Sequence, residues 1–210
     1  MYKTILIAMQ KYIILKKPWK TMKKNSFKIM SILKNSRIRI TGKENTLEIK
    51  KGNHKRIKIG IDGNNNNIVI DADTYIRNLE IIVQGNNHLV HISKRVEIGG
   101  ASMVCCGENS KIYLGKDCLL ASNINIKSCD GHSIYQDGVV INNSNEIYIG
   151  HNVWIAQDVN ILKGVKIGND SVVGINSLVT SNNFPSNVIL GGVPAKIIKH
   201  NITWGKERTV

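Results

Sequence analysis

The sequence of 210 residues is 42% hydrophobic and only 5% aromatic, and its 29 Lys and Arg against 15 Asp and Glu give a net charge of +14. That length suits one domain, the scarcity of rings favours an interior of Ile, Val and Leu, and the charge predicts an anionic partner. The four cysteines show no C-x-x-C spacing, which argues against a zinc site and favours small, reduced interior residues of a cytosolic protein.

Residues 1–36 stand apart as a basic segment, because nine of them are Lys and the first acidic residue of the chain is Glu44. The apolar run at residues 5–9 is too short to cross a bilayer. The mixture of Lys with apolar residues predicts basic amphipathic helices, broken near Pro18, that contact an acidic membrane surface. Two alternatives are a cap over the first unit of the following domain and a translation start at a later methionine.

A longer repeat begins at Gly42 and consists of a glycine, four variable residues and two apolar residues separated by one position. Its glycines are Gly42, Gly63, Gly85 and Gly107, at spacings of 21, 22 and 22 residues. Within each unit, apolar residues recur every six positions, so each unit contains three hexads and about four extra residues. Such a double period predicts a solenoid with a ridge of Gly and Asn turns along one corner.

The six-residue period continues without a break between Ile149 and Val179. One position is filled by Ile149, Ile155, Ile161, Ile167, Val173 and Val179. A coil with three flat faces of six residues places one such aliphatic inside on every face, whereas a 3.6-residue helix does not require it. We therefore predict an all-β parallel β-helix, triangular in section, over residues 37–190, with coils stacked at about 4.8 Å.

The register fails between residues 127 and 148, where turn residues predict a loop that leaves the prism. Long loops on rigid scaffolds often carry the chemistry of an enzyme. Within this loop His132 follows Asp130 and Gly131. Because the pKa of histidine lies near neutral, His132 is a candidate general base.

Residues 149–168, 173–180 and 191–198 together resemble the hexapeptide-repeat, left-handed β-helix acyltransferases that use acetyl-CoA. The loop residues 130–135, with the sequence DGHSIY, and the tail residues 201–205, NITWG, more specifically resemble the bacterial sialic-acid capsule O-acetyltransferases. The resemblance implies a left-handed prism, an active-site loop and a CoA-contacting tail at residues 191–210.

The resemblance also implies the roles of individual residues. His132 matches the base that takes the proton from a sugar hydroxyl and returns it to the CoA thiolate. Trp154 matches an active-site tryptophan, and its alternative role is an aromatic contact between subunits. The pantetheine arm and the nucleotide phosphates of CoA would be bordered by Ala156, Gln157, Gly174, Ile175, Thr180, Ser181, Lys196 and Lys199. Ala156 stands where glycine is usual, and Ser181 where a basic residue is common.

From this resemblance we expect a homotrimer that acetylates a hydroxyl of a bacterial surface polysaccharide, in the cytoplasm or at the inner membrane, with acetyl-CoA as donor. An acidic polymer such as sialic-acid capsule suits the net charge, and neither a metal nor nucleic acid is expected. The alternatives are a small acceptor or amino sugar, of the galactoside, serine or nucleotide-sugar type, and a non-catalytic scaffold. A zinc-dependent carbonic anhydrase on the same prism is disfavoured, because His88 and His91 have no third histidine in register.

Overall fold

A computed structural model describes residues 24–180 and 182–207. These residues form a left-handed parallel β-helix of about seven coils, as the sequence predicts. The strands are β1 Ser26–Ile29, β2 Leu33–Lys34, β3 Arg37–Thr41, β4 Thr46–Ile49, β5 Gly52–Lys55, β6 Ile57–Asp62, β7 Asn67–Ile70, β8 Thr74–Ile76, β9 Leu79–Asn86, β10 Leu89–Ile92, β11 Glu97–Ile98, β12 Ala101–Glu108, β13 Lys111–Leu114, β14 Leu119–Leu120, β15 Ile124–Lys127, β16 Tyr135–Gln136, β17 Val139–Val140, β18 Ile147–Ile149, β19 Trp154–Ile155, β20 Asn160–Leu162, β21 Lys166–Ile167, β22 Val172–Val173, β23 Leu178–Val179, β24 Asn183–Phe184, β25 Ile189–Gly192 and β26 Ala195–Lys199.

The strands stack into three parallel sheets, which are the faces of the prism. Face A runs β1-β4-β7-β10-β13-β18-β21-β24, face B runs β2-β5-β8-β11-β14-β19-β22-β25, and face C runs β3-β6-β9-β12-β15-β20-β23. One strand from each face, in the order A, B, C, makes a coil. Strand β26 folds back antiparallel on β25 at the end of face B, and β16 and β17 form a separate hairpin.

The interior of the prism is an aliphatic stack, as the six-residue period predicts. Ile149, Ile155, Ile161 and Ile167 are fully buried, and in each sheet they lie in register with buried residues of the neighbouring coils. Each such side chain contributes about 1.5–3 kcal/mol through burial. Because the contacts are between coils, a single coil would leave its aliphatic residues exposed.

The corner between faces C and A carries the predicted ridge of Gly and Asn turns. Gly63 and Gly85 have φ of 141° and 111°, and a Cβ on Gly63 would collide with the carbonyl oxygen of Gly85 one coil away. Inside this corner, the Asn66 side chain donates to Asn45 Oδ1 at 3.0 Å and accepts from the backbone N–H of His88 at 2.9 Å. Side-chain amides stacked from coil to coil thus satisfy the buried backbone N–H groups of these turns.

The N-terminal part of the solenoid corrects the helical prediction for residues 1–36. Strand β1 pairs with β4, and β2 pairs with β5, so residues 26–34 belong to the first coil. Phe27 and Ile29 alternate with polar residues and pack against the core, which is a strand pattern. The helices predicted before residue 24 lie outside the described residues. Among residues 24–180 and 182–207, no helix is long and apolar enough to cross a membrane.

One inward position of face B is occupied by His54 instead of an aliphatic residue. Its Nε2 forms a 2.8 Å hydrogen bond with Thr74 Oγ1, while its Nδ1 is buried without a partner. Burial lowers the pKa of His54 from 6.5 to about 4. The imidazole is therefore neutral in the folded protein at pH values where the unfolded chain already binds a proton.

This difference predicts a pH dependence of stability. As the pH falls from 6.5 to 4, the unfolded state gains a proton at His54 that the folded state does not, so the free energy of unfolding should fall by about 3 kcal/mol from this residue. In His54→Gln this part of the slope should disappear. Chemical denaturation at several pH values gives the free energy of unfolding of both proteins. The same pH dependence in wild type and His54→Gln between pH 6.5 and 4 would contradict the assignment.

Candidate active site

The loop that carries His132 leaves the prism after β15 and returns at β18, as the break in the hexad register predicts. It emerges at the corner between faces C and A, on the line of the Gly and Asn turns. The hairpin β16–β17 forms its outer part and exposes a group of apolar side chains. These are Ile134, Tyr135, Val139 and Ile141.

A cavity of about 640 Å³ lies between this loop and the edge of face C. His132 lines it and is exposed, so the imidazole is open to a ligand. The other walls are Gln84, Cys106, Gly107, Glu108, Cys129, Asp130, Gly131, Ser133, Val140, Asn142, Asn143 and Ser144. Most of these groups are polar, which suits a hydroxyl-rich ligand.

Asn142 holds the two arms of the loop together. Its Nδ2 donates to the carbonyl oxygen of His132 and to Asp130 Oδ2, both at 2.8 Å, while its Oδ1 accepts from the backbone N–H of Ile134 at 2.6 Å. The amide therefore fixes the backbone on both sides of Ser133. A histidine on a long loop gains a defined position from these bonds.

Lys163 ties the same loop to the prism. Its Nζ lies 2.6 Å from Asp130 Oδ2 and donates to the carbonyl oxygen of Asn142 at 2.8 Å. Lys163 and then Asn142 lower the pKa of the Asp130 carboxyl through these hydrogen bonds. Asp130, which the sequence marked as the acid near His132, thus serves as the anchor of the loop. Sequence analysis missed Lys163 because it is 33 residues from Asp130 and meets it only through the stacking of coils. It missed Asn142, 12 residues from Asp130 in the same loop, because the path of the loop decides that contact.

Trp154 lies on a different face of the prism. It points outward from β19 on face B, 39% exposed, between Leu119 and Val172 of the neighbouring coils. The ring of Trp204 packs beside it with centroids 5.9 Å apart, and Trp204 Nε1 donates to the carbonyl oxygen of Asn152 at 2.7 Å. Trp204 was not among the predicted site residues, although its motif NITWG was recognised.

The tail that carries Trp204 is fixed to the prism at three heights. The backbone N–H of Ile202 donates to Asn187, Trp204 donates to Asn152, and Lys206 Nζ lies 2.7 Å from Glu97 Oε1. These partners belong to successively earlier coils, so the tail runs back along the prism towards its N-terminal end. Through Trp204, the tail covers one side of the Trp154 ring.

The residues predicted to border CoA lie mainly on the corner between faces B and C. Ala156 and Gln157 follow β19 at this corner, and Gly174 and the 60% exposed Ile175 follow β22 one coil later. The backbone N–H of Ala156 donates to the carbonyl oxygen of Val173 at 2.9 Å, which aligns the two turns. Thr180 follows β23 on face C, and Lys196 and Lys199 lie on β26. Ser181 lies outside the described residues.

Within one chain the predicted site residues therefore form separate groups. The cavity around His132 is at the corner between faces C and A, Trp154 is on face B, and the turns of Ala156 and Gly174 are at the corner between faces B and C. The chain brings Ala156, Gln157, Gly174 and Ile175 together on two adjacent turns. It joins His132 to the loop anchors, not to the tryptophan.

The cysteines differ in part from the sequence prediction. All four are buried, but the structure joins Cys106 and Cys129 in a disulfide, with Cα atoms 5.7 Å apart. The pair occupies matching positions of adjacent coils, a relation that the search for C-x-x-C spacing does not detect. Both residues line the cavity of His132. In residues 24–180 and 182–207 no three His, Cys, Asp or Glu side chains form a group that could hold a metal ion.

The fold of this chain is shared by proteins of known structure. No family model matches the chain. The chain is 33% identical to a polysialic acid O-acetyltransferase of Neisseria meningitidis over 84% of its own length and 83% of the relative. The crystal structure of the polysialic acid O-acetyltransferase OatWY superposes with a TM-score of 0.82 and 29% identity, covering 94% of this chain and 92% of that one. The polySia-specific acetyltransferase NeuO gives a TM-score of 0.61 and 28% identity over 90% and 92% of the two chains.

The anchoring of the loop by Asn142 is testable without an activity assay. Asn142→Ala removes the bonds to His132, Asp130 and Ile134, and we expect amide exchange at Ile134 to accelerate about tenfold or more, since each lost bond is worth about 1 kcal/mol. Asn143→Ala is the matched control in the same loop. Equal exchange rates in the two variants, measured by NMR or mass spectrometry, would show that Asn142 is not the anchor.

Proposed function

The chain belongs to the hexapeptide-repeat acetyltransferase family and is a relative of the polysialic acid O-acetyltransferases, and from that premise we propose that it transfers acetyl from acetyl-CoA to a hydroxyl of a sialic-acid-containing capsular polysaccharide. The observation that carries the proposal is the open, polar cavity in which an anchored loop presents His132. The net charge of +14 favours an acidic acceptor over a neutral one.

In the proposed reaction His132 acts as general base. Its neutral imidazole takes the proton of the acceptor hydroxyl while the hydroxyl oxygen attacks the carbonyl carbon of the thioester. The tetrahedral intermediate then collapses, the carbon–sulfur bond breaks, and the imidazolium returns the proton to the CoA thiolate. No covalent acyl-enzyme is needed, so much of the rate acceleration comes from holding the two substrates together.

The proposed position of CoA is the corner between faces B and C. Gly174 and Ala156 have little or no side chain, which leaves their turns open to a pantetheine arm. Gln157 and Ile175 would border the same path, and Thr180 would border its continuation across face C. Lys196 and Lys199 lie beyond the last coil on β26. Their ammonium groups suit the phosphates of the nucleotide.

A homotrimer would complete the site. The cavity of His132 and the ring of Trp154 belong to different faces of one prism, so a second prism is needed to bring the two together. The apolar hairpin, with Tyr135 and Val139 each 65% exposed, supports a protein contact at the same place. Three prisms in a closed ring would form three equivalent grooves, each shared by two subunits.

The proposed location is the cytoplasm, at the inner surface of the inner membrane. The basic residues 1–36 support contact with anionic lipid, and most of this segment precedes the described residues. Acetyl-CoA is a cytoplasmic metabolite, so the acceptor would be modified before it leaves the cell.

Replacement of the base tests the reaction. His132→Ala should lower kcat about 10²–10⁴-fold with the KM for acetyl-CoA unchanged, because general base catalysis contributes that much and the side chain does not hold CoA. Release of CoA thiol with sialic-acid polymers, neutral polysaccharides and amino sugars as acceptors is the measurement, with His91→Gln on face A as control. Near-normal turnover in His132→Ala would refute the base, and turnover only with amino sugars would refute the acceptor.

Mixed trimers test whether the site is shared. His132→Ala and Trp154→Ala should each be inactive alone, and refolding them together in equal amounts should restore about a quarter of the wild-type activity, the fraction of interfaces at which an intact His132 meets an intact Trp154 of the neighbouring subunit. Each variant refolded without the other, at the same total concentration, is the control. Absence of any recovery, with trimers verified by sedimentation, would show that both residues act within one chain.

A further inference from the structure

The corner between faces B and C changes character along the prism. In coils 1–3 it carries seven exposed cations, which we call the basic corner. They are Lys34, Arg37, Arg39, Lys55, Arg56, Lys58 and Arg77. Within the described part of the chain none of them forms an ion pair; Arg56 donates to the carbonyl oxygen of Arg77, and Arg77 packs over the ring of Tyr75.

Stacking places like charges of the basic corner directly beside each other. Lys34 is in register with Lys55, and Arg37 with Lys58, one coil spacing apart. Lys58 is also in register with Glu80 of the following coil, without forming an ion pair. Elsewhere the prism pairs opposite charges of adjacent coils: Lys28 lies 3.0 Å from Glu48, and Arg95 lies 2.6 Å from Asp117. The stacked cations of the basic corner form a local excess of positive charge, which attracts an anion.

A groove of about 400 Å³ begins at this corner and continues along it through coils 2–5. Apart from the Glu80 carboxylate and the cations at its start, its walls are small, uncharged groups. The lining residues are Arg56, Lys58, Asn78, Glu80, Gly99, Gly100, Ala101, Ser102, Ser122, Asn123, Ile124 and Asn125. Over these four coils the groove extends about 14 Å along the prism axis.

The far end of the groove meets the turns proposed to hold CoA. Asn123 Nδ2 donates to Asp158 Oδ1 at 2.6 Å, and Asn125 Nδ2 donates to Asn160 Oδ1 at 3.2 Å. Asp158 is in the same turn as Gln157. From coil 1 onwards, the corner between faces B and C therefore carries first the seven cations of the basic corner, then the groove, and then the turns proposed to hold CoA.

We infer that this groove and the basic corner bind the acidic acceptor polysaccharide, with the reacting sugar at the cofactor end and the rest of the polymer extending towards coil 1. The inference rests on the proposed function. Arginine and lysine pair with the carboxylates of successive sugars, and the Asn and Ser side chains of the groove offer hydrogen bonds to hydroxyls. Binding of several repeats at once makes a long chain a better acceptor than a short one.

The lining favours a polysaccharide over the other polyanions. Proteins that hold single-stranded nucleic acid stack the bases on aromatic side chains, and the residues of this groove include no ring. Peripheral membrane binding uses an apolar face beneath the cations, whereas the groove is concave and lined by amides and hydroxyls. Small polar walls fit a sugar chain.

The test compares two triple variants of equal charge. Arg37→Gln, Arg56→Gln and Lys58→Gln remove three cations of the groove region; Lys51→Gln, Lys94→Gln and Lys116→Gln remove three exposed cations of the opposite corner, between faces A and B. Both should unfold near the wild-type temperature. The groove triple should raise the KM for a long sialic-acid polymer about tenfold, with kcat and the KM for acetyl-CoA unchanged and little effect on a short oligomer. The control triple should match wild type.

Direct titration of the polymer into each protein separates this inference from the proposed function. Binding that weakens about tenfold only in the groove triple supports the groove even if no acetyl transfer occurs. Transfer with an unchanged KM in the groove triple, or equal losses in both triples, overturns the groove and leaves the reaction intact. The inference would also be overturned if wild-type protein bound no polymer but bound vesicles of phosphatidylglycerol and phosphatidylcholine, and the groove triple lost that vesicle binding.

Discussion

The structure depends on the inability of one coil to bury its own aliphatic side chains. Ile155 is shielded by Leu120 before it and Val173 after it, and each of these depends on its own neighbours in the same way. The free energy of folding therefore resides between coils, and register is fixed wherever an aliphatic residue must meet its neighbours. A consequence is that every outward side chain also lies in a straight row along the prism, so stacking decides which charges and rings become neighbours.

These rows explain how a regular scaffold carries separate functional regions. Insertion of residues at one corner need not disturb the stack, because Ile147 resumes the row of Ile112 after the whole loop of His132. Lys163 then compensates for the freedom of the loop by binding Asp130 from the next coil. The rigid part positions the turns of Ala156 and Gly174, while the loop supplies a group that a flat face cannot project. The proposed acid–base chemistry and the proposed cofactor binding thus fall on parts of different stiffness.

The sequence predicted those features that recur, and missed those that stacking creates only once. The hexads, the Gly corner and the expelled loop repeat or interrupt a period, so counting finds them. The helical prediction was wrong at Phe27 and Ile29, because two apolar residues among lysines fit a helix as well as a strand. Only the pairing of β1 with β4 decides between the two. The bonds of Asn142, the contact of Trp204 with Trp154 and the Cys106–Cys129 pair join residues whose proximity depends on the three-dimensional path of the chain.

The distribution of charge illustrates the same limit. A net charge of +14 indicates an anionic partner but is equally compatible with a basic N-terminal segment and with a basic surface. Stacking separates the two contributions, because Lys28 and Lys50 form ion pairs with Glu48 and Asp71 on adjacent coils, while Arg37 lies beside Lys58. Lys58 in turn has Glu80 in register on its other side. Ion pairs between exposed side chains contribute little to stability, so this row of cations is explained better by a bound anion than by folding. Its location on the same corner as the polar groove, and in line with the turn of Gln157, ties the charge to the handling of a long acidic chain rather than to solubility alone.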